Sequence, residues 1–336
     1  MDRRLHFVGT LPQFADAEEA FRWQHGELAG LLRRISGGET GQRLQWFVPV
    51  VKELKRSGAV RVVKDGDWTA YDDTDRLVAR RLDPAQIPLH IAEDALAEVE
   101  LLRAAGTPAT AAQPLQVGVP GYLDMALFIF GPLGVFKHAR GFLKAAGAQI
   151  DQVQAAAGER VVFQLELPLA LIAVTAAPPP LRRIMASVLA RLVTRQAARA
   201  PEGTRFGVHL CFGDLGHRAL RRPRSAAPMV ALANAIVRHW PAGRALDFVH
   251  LPMSGGDEPP PVDAAFYAPL RGLRPGSAVV VAGIAHERQD ERAQLTVRDH
   301  VEAALGRPVD LATSCGLGRR SPVEAESAVA RMRVLL

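Results

Sequence analysis

Phe206-Gly-Val-His-Leu-Cys211 is a short β-forming run, and a helical pattern follows it over Ala227–His239. The same order recurs on both sides. Val161–Glu166 precedes a helix expected over Leu181–Ala198. Asp247–Leu251, Ala278–Ile284 and Val309–Ser314 come later, the last leading into a helix over Val323–Leu335. Towards the start, Leu5–Gly9, Leu32–Ser36 and Leu115–Val119 read as strands too. Alternating strand and helix patterns predict a parallel sheet in an α/β fold. Eight such units in 336 residues predict a single (β/α)8 TIM barrel over residues 1–336. The connection between Trp46 and Ala112 is too long for one crossover helix. Within it, Asp65-Gly66 stands between β-formers and predicts a hairpin inserted after the second strand. Pro178-Pro-Pro and Pro259-Pro-Pro read as loops, and no internal repeat is present.

Apolar residues make up 48% of the chain, enough for a core without covalent staples. The formal net charge is +6. No basic run is interleaved with aromatics, so this charge reads as an arginine-rich solvated surface and no nucleic-acid partner is expected. The most apolar stretch, Phe163–Ala177, is interrupted by Glu166 and Pro168, so no membrane span is expected. Met1-Asp-Arg-Arg-Leu5 runs straight into a strand-like stretch and not into a secretory segment, which makes the cytoplasm the expected location. Two cysteines rule out a disulfide framework and draw attention to their neighbours.

His209 and Cys211 stand two apart on a predicted strand, so alternation sends both side chains to one face. In a barrel strand that face is the interior, and the strand's end is the catalytic rim. Cys315, in Thr313-Ser-Cys-Gly-Leu-Gly318, ends the eighth predicted strand. Two thiolates and an imidazole converging on one rim suit zinc. No C-x-x-C pair is present, and ligands scattered over several strands favour an open, catalytic site over a closed, structural one. The competing reading has both cysteines as small buried hydrophobes and His209 as a core histidine.

At these residues the sequence resembles the cobalamin-independent methionine synthase family, within the uroporphyrinogen decarboxylase/methionine synthase-like barrel superfamily. His209-Leu-Cys211 is similar to the family's H-x-C zinc motif, and Thr313-Ser-Cys315-Gly-Leu-Gly-Arg to its distal cysteine motif. Val8-Gly-Thr-Leu-Pro12, Gly38-Glu39-Thr-Gly-Gln-Arg43, Gly118-Val-Pro120 and Phe163-Gln-Leu-Glu166-Leu-Pro168 resemble its G-S-x-P, G-E…R, G-x-P and Q-x-D-E-P segments. The resemblance implies Zn2+ held by His209, Cys211 and Cys315, and a small thiol such as homocysteine activated as a zinc-bound thiolate for methyl or alkyl transfer. It further implies that Glu39 and Glu166 face the substrate's amino group and that Thr10 sits near its carboxylate. The methyl donor would be methyltetrahydrofolate, or methylcobalamin on a corrinoid protein. The chain resembles short stand-alone relatives that lack the family's N-terminal barrel.

Departures accompany the matches. The family's fourth zinc ligand is a glutamate, where this sequence has Pro252. His250, two residues earlier on the same strand face, is the candidate replacement, and a substrate-contacting or core histidine is the other reading. Glu166 stands where the family has aspartate. Arg221 and Arg222, in the loop after the fifth predicted strand, read either as a clamp for an anionic substrate or donor, or as a solvated loop. Asp214 and His217 in the same loop are a candidate acid/base pair or supporting residues. His286, in the methyl-donor region, is a further catalytic candidate. Two rivals stay open: a metal-independent decarboxylase-like barrel, and a non-catalytic zinc- or ligand-binding relative.

Overall fold

A computed structural model describes residues 2–45, 47–80, 82–106 and 112–336; Trp46, at one end of the long connection, lies outside them. Its strands are β1 (Ile35–Ser36), β2 (Val60–Lys64), β3 (Arg76–Ala79), β4 (Leu115–Pro120), β5 (Val161–Glu166), β6 (Arg205–His209), β7 (Ala245–Pro252), β8 (Val279–Ala285) and β9 (Asp310–Thr313). Seven form one sheet in the order β1-β4-β5-β6-β7-β8-β9, and every neighbouring pair in it is parallel. Helices connect most of them, as parallel strands require, and the sheet curls in the manner of a TIM barrel. Among the described residues no helix is long and apolar enough to cross a membrane.

The expected first strand, Leu5–Gly9, is reduced to one residue of pairing. Leu5 bridges Leu32 on one side and Leu311 on the other, both in parallel, and so ties the two edges of the curled sheet together. Beyond it the backbone carbonyls find side chains instead of a ladder. Gln116 donates to Phe7 and Val8, Gln164 donates to Val8, and the Ser36 hydroxyl donates to Gly9. Buried carbonyls need partners, and polar residues on β4 and β5 supply them at the cost of regular pairing. The expected Leu32–Ser36 strand shrinks in the same region to Ile35–Ser36.

β2 and β3 form a separate antiparallel pair. Asp65-Gly66 is not its tight turn: residues 65–75 all lie between the two strands, and Asp75 ties this loop together by accepting from Gly66 N–H and the Trp68 indole. The helices expected after the fourth, fifth and eighth strands appear at Arg182–Arg199, Ala227–Arg238 and Pro322–Val334, each within about a residue or two of expectation. Pro322–Val334 begins with a capping box of Ser321 and Glu324.

The two sheet faces do different work. One packs on the helices in a large apolar core. On the other, Val162, Phe248, Val281 and Ala312 form a small separate apolar layer. The Phe248 ring lies where a Cβ of Gly207 would be, so the absent side chain on β6 is what admits the ring. Above this layer the same face turns polar with Gln164, His209 and His250, and leads to the C-terminal ends of the strands.

Candidate metal centre and carboxyl pair

His209 closes β6, Cys211 lies two residues beyond it, and Cys315 lies two residues past the end of β9. Their ligand atoms fall within 4.8 Å of one another. Cys211 Sγ and Cys315 Sγ are 3.6 Å apart, and Cys315 Sγ is 4.0 Å from His209 Nε2. Tetrahedral zinc with ordinary bond lengths separates two sulfurs by about 3.8 Å and a sulfur from an imidazole nitrogen by about 3.6 Å. The donor set therefore fits zinc in both chemistry and spacing. The crowding of the sulfurs and their burial push the Cys315 thiol well above its ordinary pKa, which a cation between them would reverse.

His250 does not join this group. Its Nε2 faces the Thr313 carbonyl at 3.0 Å, and its Nδ1 faces His209 Nδ1 at 2.8 Å. The carbonyl only accepts, so Nε2–H of His250 donates to it. Burial lowers the His250 pKa to about 4, leaving the ring neutral and its Nδ1 an acceptor. His209 must then donate from Nδ1, which leaves the lone pair of its Nε2 on the side of the sulfurs. His250 thus fixes the tautomer of His209 and stands outside the group of three donors that could hold a metal, where the sequence makes it a candidate fourth ligand. β-strand alternation placed it on the correct face, but the register of β6 against β7 sets it directly beside His209.

Glu39 and Glu166 meet beside the sulfurs. A Cβ on Gly118 would sit 2.8 Å from Glu39 Oε1 and 3.2 Å from Glu166 Oε1, so the bare glycine on β4 makes room for both carboxyl groups. The Thr10 hydroxyl donates to Glu39 Oε2 at 2.7 Å. Burial raises the pKa of both groups, Arg43 opposing it at Glu39 and the Glu39 charge adding to it at Glu166. Two buried acids side by side hold a proton or call for a cation. They share with His209, Cys211, Cys315 and Asp214 a cavity of about 110 Å³. Leu44, Phe47 and Phe128 supply its apolar wall. A larger cavity of about 460 Å³, with Arg43, Lys52 and Arg56, lies against the same two glutamates.

The loop between β2 and β3 reaches the wall of the smaller cavity, a feature no sequence motif announces. Tyr71 lines the cavity, and its hydroxyl oxygen accepts from Leu215 N–H at 3.1 Å. Gly213 and Gly216, at φ 82° and 62°, leave no room for a Cβ, Gly213 lying against the Tyr71 hydroxyl and Gly216 against the Thr69 carbonyl, so the two loops pack closely.

The other expected residues separate. Asp214 lines the cavity, with His217 Nδ1 at 3.4 Å from its Oδ1. His286 is buried next to the ion pair of Glu287 and Arg320 and is not in the cavity wall. Arg221 and Arg222 are exposed and do not line either cavity, Arg222 being held by Asp257 and Glu258.

Asp124 is a buried acid that no sequence motif marks. Its Oδ1 accepts from Leu169 N–H at 2.6 Å and caps the helix Pro168–Ala176, which has no capping side chain of its own. Burial raises its pKa to about 7. With a native pKa above the unfolded one, the proton's stabilising contribution is complete at low pH and is lost as pH rises through about 7. Asp124→Asn keeps the acceptor and removes the ionisation. Denaturant unfolding should show the variant gaining a few kcal/mol over wild type between about pH 4 and pH 7 and no more above that, because each tenfold difference in proton affinity between the folded and unfolded chain is about 1.4 kcal/mol. A difference that does not change with pH refutes this.

No protein-family model matches the sequence, and no curated protein matches it. Solved structures do. A B12-independent methionine synthase from Shewanella sp. W3-18-1, in complex with selenomethionine, superimposes with a TM-score of 0.59 at 16% identity, over 98% of this chain and 97% of that one. A methyltransferase from Methanosarcina mazei gives a TM-score of 0.50 at 13% identity, over 99% and 94%. Both likenesses run the length of the chain, and at these identities they establish the fold.

Proposed function

We propose that the chain is a zinc-dependent methyl or alkyl transferase acting on a small thiol such as homocysteine. The observation that carries this reading is the convergence of two thiols and an imidazole, within 4.8 Å, on a cavity that also holds a buried carboxyl pair. The two structural relatives, a methionine synthase and a methyltransferase, support it. Zinc held by His209, Cys211 and Cys315 would take up a thiol's sulfur and lower its pKa, so that a thiolate exists at neutral pH.

The chain's own residues supply the rest. Glu39 and Glu166 receive the substrate's ammonium group, whose positive charge relieves the repulsion between them. The Thr10 hydroxyl holds Glu39 in place. Leu44, Phe47 and Phe128 give the reacting sulfur an apolar wall, and a cavity of about 110 Å³ suits a small thiol. In the transfer, a carbon–sulfur bond forms as the methyl–donor bond breaks, and the electron pair leaves on the donor. The larger cavity behind the glutamates has room for a donor such as methyltetrahydrofolate; Arg43 there is held by Asp94 and Glu98, which leaves Lys52 and Arg56 to meet an anionic tail. Methylcobalamin on a corrinoid protein is the alternative donor.

Elemental analysis should find one zinc per chain. Calorimetry of the zinc-loaded protein with homocysteine and with cysteine, in two buffers of different ionisation enthalpy, should show binding coupled to proton release. Absence of zinc rejects the metal centre. Zinc without thiol binding, or binding without proton release, rejects thiol activation.

A further inference from the structure

The opposite end of the barrel holds a cavity that methyl transfer does not use. About 570 Å³ in volume, it lies at the N-terminal ends of β6, β7 and β8 and is lined by Arg33, Arg34, Arg205, Arg244 and Asp247. Two of these arginines are neutralised. Arg33 holds Asp310 with two nitrogens, the shorter contact 2.6 Å, and Arg205 holds Asp247, also at 2.6 Å. Arg244 donates to the carbonyls of Ala200 and Ala242 with three of its N–H groups, and among the described residues no carboxylate pairs with its charge.

Arg34 differs from all three. The residue is only 8% exposed, yet among the described residues no carboxylate lies within ion-pair distance of it. Its Nη1 meets His6 Nδ1 at 3.3 Å, and its Cζ lies 4.2 Å from the centre of the Phe248 ring. A guanidinium carries about five N–H donors, so most of Arg34's remain unused. None of its nitrogens is among the polar atoms sealed from solvent without a partner, so the unused donors open into the cavity. Burial lowers its pKa to about 10, still far above neutrality, and Asp247 and Asp310 act against the shift from a distance. After the two ion pairs cancel, Arg34 and Arg244 leave two positive charges facing one space.

We propose that this cavity binds a phosphate-type dianion, either inorganic phosphate or the phosphoryl group of a small molecule, through the Arg34 guanidinium with Arg244 completing the charge balance. A planar fork of donors matches tetrahedral oxyanions. A dianion satisfies both uncompensated charges, whereas a lone carboxylate satisfies one. The site lies at the far end of the strands from His209 and Cys315, and its occupancy does not depend on the metal reading.

Calorimetric titration of the purified chain with inorganic phosphate, at ionic strength held constant with sodium chloride, tests this. Saturable binding of one phosphate per chain is expected, and Arg34→Met and Arg244→Met should each weaken it at least about tenfold. Cys211→Ser should leave it intact. Methyl phosphate binding as tightly as phosphate assigns the site to a phosphoryl group, and preference for phosphate assigns it to the free ion. No saturable binding, malonate binding as well as phosphate, loss in Cys211→Ser, or full retention in Arg244→Met each overturns the proposal. Arg244 is half-buried at the cavity's rim, so its variant decides the matter even where Arg34→Met does not fold.

Discussion

If the proposed zinc centre is right, Cys211→Ser and Cys315→Ser should each lower zinc affinity by about a thousandfold or more. Structural zinc sites bind with roughly 10–16 kcal/mol in total, and each cysteine here is one of three side chains that could hold the metal. Losing a thiolate should therefore cost on the order of 4 kcal/mol, since about 1.4 kcal/mol is a factor of ten. The hydroxyl that replaces it is a poor zinc ligand at neutral pH. Competition against a chelator of known affinity measures the loss. His250→Ala should lose less, roughly 10–100-fold, because it removes the group that orients a ligand and not the ligand itself. Equal losses in all three would show that His250 is bound directly, and full zinc occupancy in both cysteine variants would dissolve the centre altogether.

This ordering shows where the sequence was legible. His209 and Cys211 are readable because a period of two fixes a shared strand face, and Cys315 because it closely follows a strand that the apolar pattern marks. His250 has the same signature, a histidine near a strand's end. What separates it from His209 is the register between β6 and β7, which no one-dimensional pattern encodes. The (β/α) alternation was plain for strands whose pairing is regular. It overreached at Leu5–Gly9, where glutamine side chains from distant strands take over the carbonyls. Asp65-Gly66 carries the chemistry of a tight turn, but Asp75 draws the following residues into a longer loop. Tyr71 and Asp124 were invisible because each acquires its role from an element far away in sequence.

Under the proposed function, Glu166→Gln should weaken thiol binding by about 30–100-fold while leaving zinc occupancy unchanged, and without destabilising the fold. A hydrogen bond to a charged group contributes about 1.5–3 kcal/mol, and the substrate's ammonium loses one. The empty protein behaves oppositely. Its two buried carboxyl groups disfavour each other's ionisation, so replacing one by a neutral amide removes a like-charge neighbour, and the melting temperature should hold or rise at neutral pH. Glu39→Gln should weaken thiol binding similarly, but it also weakens the acceptor that Thr10 bonds, so its stability gain should be smaller. Calorimetry for binding and thermal unfolding for stability give the two readouts. A variant that loses stability and binding together would make Glu166 a structural residue only.

The β2–β3 loop brings Tyr71 into the wall of the small cavity although it supplies none of the three converging donors. Its hold is a hydrogen bond from Leu215 N–H and close packing on Gly213 and Gly216. A wall held in this way can open without disturbing the donors, so the speed of exchange and the strength of binding are set by different parts of the chain. Tyr71→Phe, which removes the acceptor, should speed the escape of a small bound thiol and leave its equilibrium affinity nearly as it was.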